Sequence, residues 1–137
     1  MPPLVAVVDD DISVRESLES LIRSVGLEVT LSASAEDFLS SRHPRKPDCL
    51  ILDVRLGGMS GIELHRHLEA QKWGVPVIFV TAHGSDDRAR SQAASEWTVA
   101  YLTKPFSEDE FLGAVNAALQ WGRSASKRSL DHGERDG

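Results

Sequence analysis

The sequence predicts an α/β domain in which a parallel sheet carries helices on both faces. Short apolar runs suited to buried strands alternate five times with segments of helical periodicity. Two of these runs stop on carboxylates, at Asp9 and Asp53, and a third stops on Lys104, which precedes a proline. Ligand sites in such sheets lie at the carboxyl ends of the strands, so we expect these three side chains to meet.

The first half of the chain predicts two strands and two helices. Residues 4–8 are apolar throughout and rich in valine, as in a strand that is covered on both faces. The helix that follows is expected to begin at a capping box formed by Ser13 and Glu16. Residues 27–31 give a weaker second strand, and Ser34 opens a short second helix.

The second half predicts three further strands, each followed by a helix. The predicted strands are residues 48–52, 77–80 and 100–103, and the predicted helices begin at Ser60, Ser85 and Ser107. Ser60 and Ser107 each precede a glutamate by three residues, which is the pattern of a capping box. The segment from Ser85 to Ser95 is helical by composition, but only its alanines could pack inwards.

The order of the strands follows from the handedness of their connections. Right-handed crossovers leave few topologies, and the flavodoxin-like order 2-1-3-4-5 places the first and third strands side by side at the switch point. Those are the strands that end in Asp9 and Asp53. The predicted fold is therefore a doubly wound, five-stranded parallel sheet with acidic side chains at its centre.

Composition limits the classes of function. A chain of 137 residues with 41% hydrophobic content is expected to form one domain over residues 1–122, followed by a disordered polar tail over 123–137 with no output domain. The net charge of −6 argues against nucleic acid as a direct partner. No apolar run approaches the ~18 residues that span a bilayer, so we expect a cytoplasmic protein with no membrane partner. Cys49 lies inside an apolar run and is interpreted as a buried strand residue.

The acidic residues predict a metal site. Several carboxylates at one point repel one another and call for a hard divalent cation such as Mg²⁺. We assign Asp10 as a direct ligand, Asp9 as a ligand acting through metal-bound water, and the backbone carbonyl of Arg55 as a further ligand. Asp53 is expected to be both ligand and nucleophile, since carboxylates form aspartyl-phosphate intermediates.

Two side chains complete a site for phosphoryl transfer. Thr81, at the end of the fourth strand, offers a hydroxyl to a phosphoryl oxygen, and Lys104 supplies a positive charge for the same group. Phosphoryl transfer depends mainly on positioning and charge stabilisation, so this set is sufficient. Asp11 is interpreted as a helix cap rather than a functional acid.

Four motifs at the predicted strand ends carry a family resemblance. They are Val7-Val8-Asp9-Asp10-Asp11, Leu52-Asp53-Val54-Arg55-Leu56 with Gly58-Met59-Ser60-Gly61, Phe79-Val80-Thr81-Ala82-His83-Gly84, and Leu102-Thr103-Lys104-Pro105-Phe106. With them, residues 4–121 resemble the receiver domain of bacterial two-component response regulators. The chain is most similar to receivers attached to helix-turn-helix output domains in nitrogen-fixation-type regulators.

The resemblance implies a phosphorylation-controlled switch. A histidine kinase or a phosphotransfer protein would donate a phosphoryl group to Asp53 in the presence of Mg²⁺. Thr81 would then shift toward that group and Tyr101 would turn inward, changing the surface offered to a downstream protein or to a second copy of the chain. The resemblance also implies a cis peptide bond between Lys104 and Pro105.

The resemblance further implies residues that modulate the reaction. Arg55 and His83, two positions after Asp53 and Thr81, would border the phosphoryl group and influence its hydrolysis. Ala82 is small, which should leave the site open to a donor.

The chain departs from the family before the fifth strand. Ser95-Glu96-Trp97-Thr98 stands where receivers usually have a Gly-Ala pair, and the spacing from Thr81 to Lys104 is longer by about one residue. Without a glycine for a left-handed cap, the preceding helix is expected to fray or shorten. Trp97 is either an anchor for a partner or a filler of space under the alanine-rich helix. His65 and His67 are interpreted as surface residues.

Three other functions are weighed against the switch. A phosphatase of the haloacid-dehalogenase type needs an acid where this chain has Arg55, so turnover of external substrates is not expected. A flavodoxin-like cofactor binder needs a phosphate-binding loop where the chain has three successive aspartates. A receiver-like module that binds partners without phosphorylation is the remaining alternative. As a receiver, the chain is either a stand-alone response regulator or a fragment of a transcriptional one.

Overall fold

Five strands alternate with five helices in the part of the chain that the structure describes. The structure is a computed structural model that describes residues 2–43, 45–82 and 87–136, without the side chains of 87, 89 and 125–136. The strands are β1 (Leu4–Val8), β2 (Glu28–Ser32), β3 (Cys49–Asp53), β4 (Val77–Thr81) and β5 (Thr98–Thr103). The helices are α1 (Ile12–Ser24), α2 (Ala35–Ser40), α3 (Gly61–Ala70), α4 (Asp87–Ala93) and α5 (Glu108–Asp136).

All neighbouring strands pair in parallel, in the order β2-β1-β3-β4-β5. The predicted fold class and strand order are therefore confirmed. Because side chains alternate along a strand, successive residues of β3 enter different layers of the core. Leu50 and Leu52 lie in the layer that also holds Phe38 of α2, whereas Ile51 lies in the layer with Ile22 of α1. The site lies where these two layers end, at the carboxyl edge of the sheet.

Side-chain caps start α1, α2, α3 and α5, and the first differs from the prediction, whereas the predicted start of α4 at Ser85 lies outside the described residues. The hydroxyls of Ser34, Ser60 and Ser107 accept amide hydrogen bonds as predicted. The predicted capping box of Ser13 and Glu16 is wrong, because the side chain of Asp11 accepts from the amides of the next turn and starts α1 two residues earlier. An aspartate so close to the acidic motif can serve as the cap, as interpreted from the sequence.

The departure before β5 has a local structural solution. The helix α4 ends at Ala93, whose carbonyl accepts a hydrogen bond from the Thr98 hydroxyl at 2.6 Å. The backbone amide of Trp97 donates to the Ser95 hydroxyl at 3.1 Å, so hydroxyl groups close the helix end where a glycine is lacking. The helix ends two residues before Ser95, where the sequence predicted its end.

A β-bulge at the start of β5 absorbs the extra residue. Val77 pairs with Thr98 and Ile78 pairs with Ala100, so one residue of β5 is left over between two consecutive residues of β4. Beyond the bulge the register is regular, and Thr81 pairs with Thr103. The lysine that follows β5 is therefore in register with the ends of the other strands.

The last helix differs from the sequence prediction. It continues through Gly122 to Asp136, where a disordered tail is predicted. A single glycine costs a helix only about 1 kcal/mol, and no proline follows it. The division of the chain at residue 122 stays a prediction. Among the described residues, no helix combines the length and the apolar character that crossing a membrane requires.

Candidate functional site

Four strand ends bring the predicted site residues together at the carboxyl edge of the sheet. Asp9 follows β1, Asp53 ends β3, Thr81 ends β4 and Lys104 follows β5. Asp9, Asp53 and Thr81 are buried, whereas Asp10 is exposed. One carboxylate oxygen from each of the three aspartates lies within 4.8 Å of the others. The acidic cluster that the sequence predicts is present.

Lys104 joins two of these acids. Its Nζ donates to Asp9 Oδ2 at 3.0 Å and to Asp53 Oδ2 at 3.1 Å. Burial alone lowers the pKa of Lys104, but the hydrogen bonds and charges of the two carboxylates outweigh this effect, so the pKa is raised. Its backbone amide donates to the Thr81 carbonyl at 2.7 Å, and the bond to Pro105 is cis, as the resemblance implies. The ammonium is thus held charged at the centre of the site.

Asp53 has a carboxyl group that is costly to ionise. Burial raises its pKa, and the nearby charge of Asp9 raises it further. The backbone amide of Arg55, 2.9 Å from Asp53 Oδ1, and the Lys104 ammonium act in the opposite direction without cancelling the shift. A cation bound at this point would therefore stabilise the folded chain as well as the carboxylate.

Two neighbours of the acids were not singled out from the sequence. The guanidinium of Arg15 donates to the Asp9 backbone carbonyl at 2.7 Å and so holds the loop after β1. Gly61 begins α3 so close to Asp53 that an added Cβ would lie 2.1 Å from the Asp53 carbonyl oxygen. The sequence signal for Gly61 was its place in the Gly-Met-Ser-Gly motif. For Arg15 it was a cation one turn after Asp11.

The donor set fits Mg²⁺. This ion prefers hard oxygen ligands, takes one or two carboxylates and keeps several waters. Asp10 is exposed, and a carboxylate oxygen of Asp53 lies within 4.8 Å of one from Asp10. Both side chains can therefore reach one ion at the carboxyl ends of the strands. Both oxygens of Asp9 accept hydrogen bonds from the protein, from the Asp11 amide and from Lys104. That arrangement favours an Asp9 that orients water rather than binding the ion directly.

The remaining predicted residues lie after β4, on β5 or outside the described part of the chain. Ala82 directly follows β4 and is exposed. His83 lies outside the described residues. The ring of Tyr101 is partly buried, with its centroid 6.4 Å from that of Phe79 and 5.0 Å from the Arg90 guanidinium.

Packing at the other end of the sheet bears on the predictions for the two histidines of α3 and for Trp97. His65 is buried, with 4% of its surface exposed, so its interpretation as a surface residue is wrong. It lies three residues from Ile62 and from Leu68, on the apolar stripe of α3, and its ring meets that of Phe79 edge to face. His67 is exposed, as predicted.

The second prediction concerns Trp97, whose side chain is half-buried rather than free on the surface. Its ring centroid lies 4.6 Å from that of Trp121 in α5. The same ring lies against Gly74, where an added Cβ would meet it at 3.3 Å. Trp97 therefore packs against α5 and the turn before β4, rather than being seen under the alanine-rich helix, and its role as a partner anchor stays a prediction.

A doubly wound sheet with an acidic cluster and a lysine at its switch point defines the class of receiver domains in two-component signalling. The chain belongs to the response regulator receiver domain family, whose model matches residues 5–116. This confirms the resemblance drawn from the four motifs.

Individual relatives agree with the family. The chain is 45% identical over 117 residues to Nodulation protein W of Bradyrhizobium diazoefficiens, covering 85% of this chain and 51% of the relative. It is 42% identical over 123 residues to the transcriptional regulatory protein FixJ of Azorhizobium caulinodans, covering 90% and 57%. The structure of the response regulator StyR superposes with a TM-score of 0.79 at 42% identity, covering 98% of this chain and 69% of that one. The chain thus spans about half the length of the two relatives compared by sequence.

Proposed function

We propose that this receiver domain accepts a phosphoryl group on Asp53 in a Mg²⁺-dependent reaction. One observation carries the proposal. The Lys104 ammonium is within hydrogen-bond distance of both Asp9 and Asp53, inside a cluster of three carboxylates. This arrangement supports the proposal, because phosphoryl transfer requires a nucleophile, a metal-binding group and a positive charge around one point.

The chemistry follows from the positions of the side chains. An Asp53 carboxylate oxygen attacks the phosphorus of a phosphohistidine, a P–O bond forms, and the P–N bond breaks with its electron pair leaving on the imidazole. Lys104, now paired with Asp53 Oδ2, is placed to pair with an oxygen of the transferred group. Mg²⁺, when bound, neutralises charge on the phosphoryl oxygens. Asp10, Asp53 and the Arg55 carbonyl would hold it, with Asp9 acting through water.

The same reasoning gives the neighbouring residues their proposed roles. Thr81 ends β4, where its backbone carbonyl accepts a hydrogen bond from the Lys104 amide, and its hydroxyl would follow the phosphoryl group. Tyr101 lies on β5 and would couple that movement to the surface of α4 and β5. Arg55, Ala82 and His83 would set how readily water and donors reach the phosphoryl group.

The partners follow from the reaction and from the family. The donor would be a histidine kinase or a phosphotransfer protein, and the phosphorylated domain would bind a downstream protein or a second copy of itself. The matched residues cover only 51% and 57% of the two relatives, and one of these is a transcriptional regulatory protein. The chain would accordingly act in the cytoplasm, either as the receiver part of a longer regulator or as a receiver that works alone. The only reaction it would promote is its own phosphorylation and dephosphorylation.

Intact mass spectrometry tests the acceptor. Incubation with acetyl phosphate and Mg²⁺ should add one phosphoryl group to the native chain. Asp53→Asn, and the native chain in excess chelator, should show no gain. A mutant that still gains the group would move the acceptor elsewhere. A native chain that never gains it under any donor would favour binding of partners without phosphorylation.

A further inference from the structure

The loop over residues 54–60 connects the acceptor to α3, and both of its ends are fixed. At its start the Arg55 amide donates to the Asp53 side chain at 2.9 Å. At its end Ser60 caps α3. The Gly61 amide then closes the loop by donating to the Val54 carbonyl at 3.2 Å. The path of this loop decides where the Arg55 backbone lies relative to the acids.

The middle of the loop has little conformational restraint of its own. It contains two consecutive glycines, Gly57 and Gly58, and Gly58 adopts a left-handed φ of +84°. Glycine loses more backbone freedom on ordering than any other residue. A loop with this sequence therefore needs an external contact to hold a single conformation.

A carboxylate from α2 supplies such a contact. Glu36 Oε2 accepts a hydrogen bond from the Met59 amide at 2.9 Å, across 23 positions in sequence. The same oxygen covers Gly58, where an added Cβ would lie 2.8 Å from it. Glu36 lies in the first turn of α2, which Ser34 caps, so the helix presents the carboxylate from a fixed position. Met59 also packs against the core layer that contains Phe38.

We propose that Glu36 is a positioning residue for the phosphorylation site. By binding the Met59 amide over Gly58, it holds the 54–60 loop in the conformation that presents the Arg55 backbone to Mg²⁺ and to Asp53. This role rests on the proposed function only in its effect on phosphorylation. Its effects on loop order and on Mg²⁺ binding are independent of that function.

Three variants separate the hydrogen bond from the charge. Glu36→Ala removes both, whereas Glu36→Gln keeps an oxygen that can accept from the Met59 amide. Asp37→Asn is the matched control, because it removes the adjacent carboxylate of α2 and leaves the contact intact. All three substitutions are on the surface and should leave the denaturant midpoint of unfolding close to that of the native chain.

The measurements are Mg²⁺ affinity by calorimetry, the phosphorylation rate with acetyl phosphate, and hydrogen exchange of the loop amides without metal. Glu36→Ala should bind Mg²⁺ about threefold to tenfold more weakly, react more slowly, and lose protection at Met59. Glu36→Gln and Asp37→Asn should stay within about twofold of the native chain. Native values in Glu36→Ala, or an equal loss in Glu36→Gln, would overturn the role of the hydrogen bond.

A double-mutant cycle tests the contact with Gly58. Gly58→Ala should weaken Mg²⁺ binding in the native chain, through strain at positive φ and displacement of Glu36. In the Glu36→Ala background the displacement no longer matters, so the second loss should be smaller. Additive losses would contradict the proposal. If the native chain takes no phosphoryl group while Met59 protection and Mg²⁺ affinity still respond to Glu36→Ala, the proposed function fails and the positioning role stands.

Discussion

The two edges of the sheet are built from opposite chemistry. At the carboxyl edge, the carboxyl groups of Asp9 and Asp53 are buried, and both contact the Lys104 ammonium. At the amino edge, the rings of Trp97 and Trp121 pack on each other beside the starts of β4 and β5. An open cavity of about 270 Å³ lies there, with Leu50, His65, Trp73 and Trp97 among its lining residues.

The contrast shows where folding free energy is gained and where it is given up. Burying aromatic rings against one another stabilises the fold. Burying two carboxylates beside one ammonium costs desolvation that the ion pairs only partly offset. The amino edge therefore stabilises the domain, and the carboxyl edge holds a site that is stable only when its charges are balanced. Mutations at the two edges should consequently act in different ways.

The largest change in the free energy of unfolding is expected at Gly61, where α3 begins against the Asp53 backbone. Gly61→Ala places a Cβ against the Asp53 carbonyl, so α3 must move, and we expect a loss of about 3 kcal/mol in the free energy of unfolding. Gly113→Ala in α5 is the control, because an added Cβ meets nothing within 4 Å there. That variant should gain about 0.5–1 kcal/mol. Denaturant unfolding of both variants measures the two changes in the free energy of unfolding. Equal changes would contradict a steric clash at Gly61.

At the amino edge, Trp97→Ala should destabilise the fold without touching the site. Because the ring is half-buried, we expect a loss of about 2 kcal/mol. A double-mutant cycle with Trp121→Ala should give a coupling of about 1 kcal/mol. Mg²⁺ affinity, measured by calorimetry, should be unchanged. A large change in that affinity would show that the two edges are not independent.

Asp53→Asn should stabilise the metal-free domain at neutral pH. The folded-state pKa of Asp53 is raised. The contribution of its carboxyl to stability is therefore complete below the unfolded pKa and is lost as pH rises through the folded value. Removing the charge should gain about 1 kcal/mol at pH 7, a figure already reduced for solvent screening. Thermal unfolding with and without Mg²⁺ measures this, and a mutant less stable than the native chain in both conditions would refute it.

The smallest expected effect is on the loss of folding stability at acidic pH. Burial lowers the pKa of His65, although Glu69, 3.4 Å from its Nδ1, opposes the shift. Because the folded-state pKa is lowered, stability is lost as the pH falls below the pKa of the unfolded chain, about 6.5. His65→Gln should reduce this loss by under about 1 kcal/mol, and His67→Gln, at an exposed position, should leave it unchanged. Unfolding free energies between pH 5 and 7.5 test it, and identical slopes in all three proteins would argue against it.

The sequence predicted the architecture and the acidic cluster for a physical reason. Parallel strands put their carboxyl ends at one edge, so Asp9, Asp53 and Lys104 had to converge once the alternating pattern was established. Local rules also predicted three serine caps, because capping involves neighbours in the chain.

What escaped prediction depended on contacts between distant elements or on competition between caps. His65 was assigned to the surface because its two-residue spacing from His67 was considered, rather than its place on the stripe of α3. Asp11 and Ser13 are both good N-cap residues, so the sequence alone does not decide between them. In the structure Asp11 is the cap. The approach of Gly61 to Asp53 required knowing the path of the loop between them. The contact of Glu36 with Met59 joins residues 23 positions apart, which no periodicity reveals.

The bulge at the start of β5 has a consequence for how such domains can diversify. It takes up one surplus residue of β5 before the strand regains register, so Lys104 follows a strand whose end is aligned with that of β4. An irregularity of one residue before β5 can therefore be accommodated without moving the end of that strand. The segment around Trp97 can thus differ in length while Lys104 keeps its hydrogen bonds to Asp9 and Asp53.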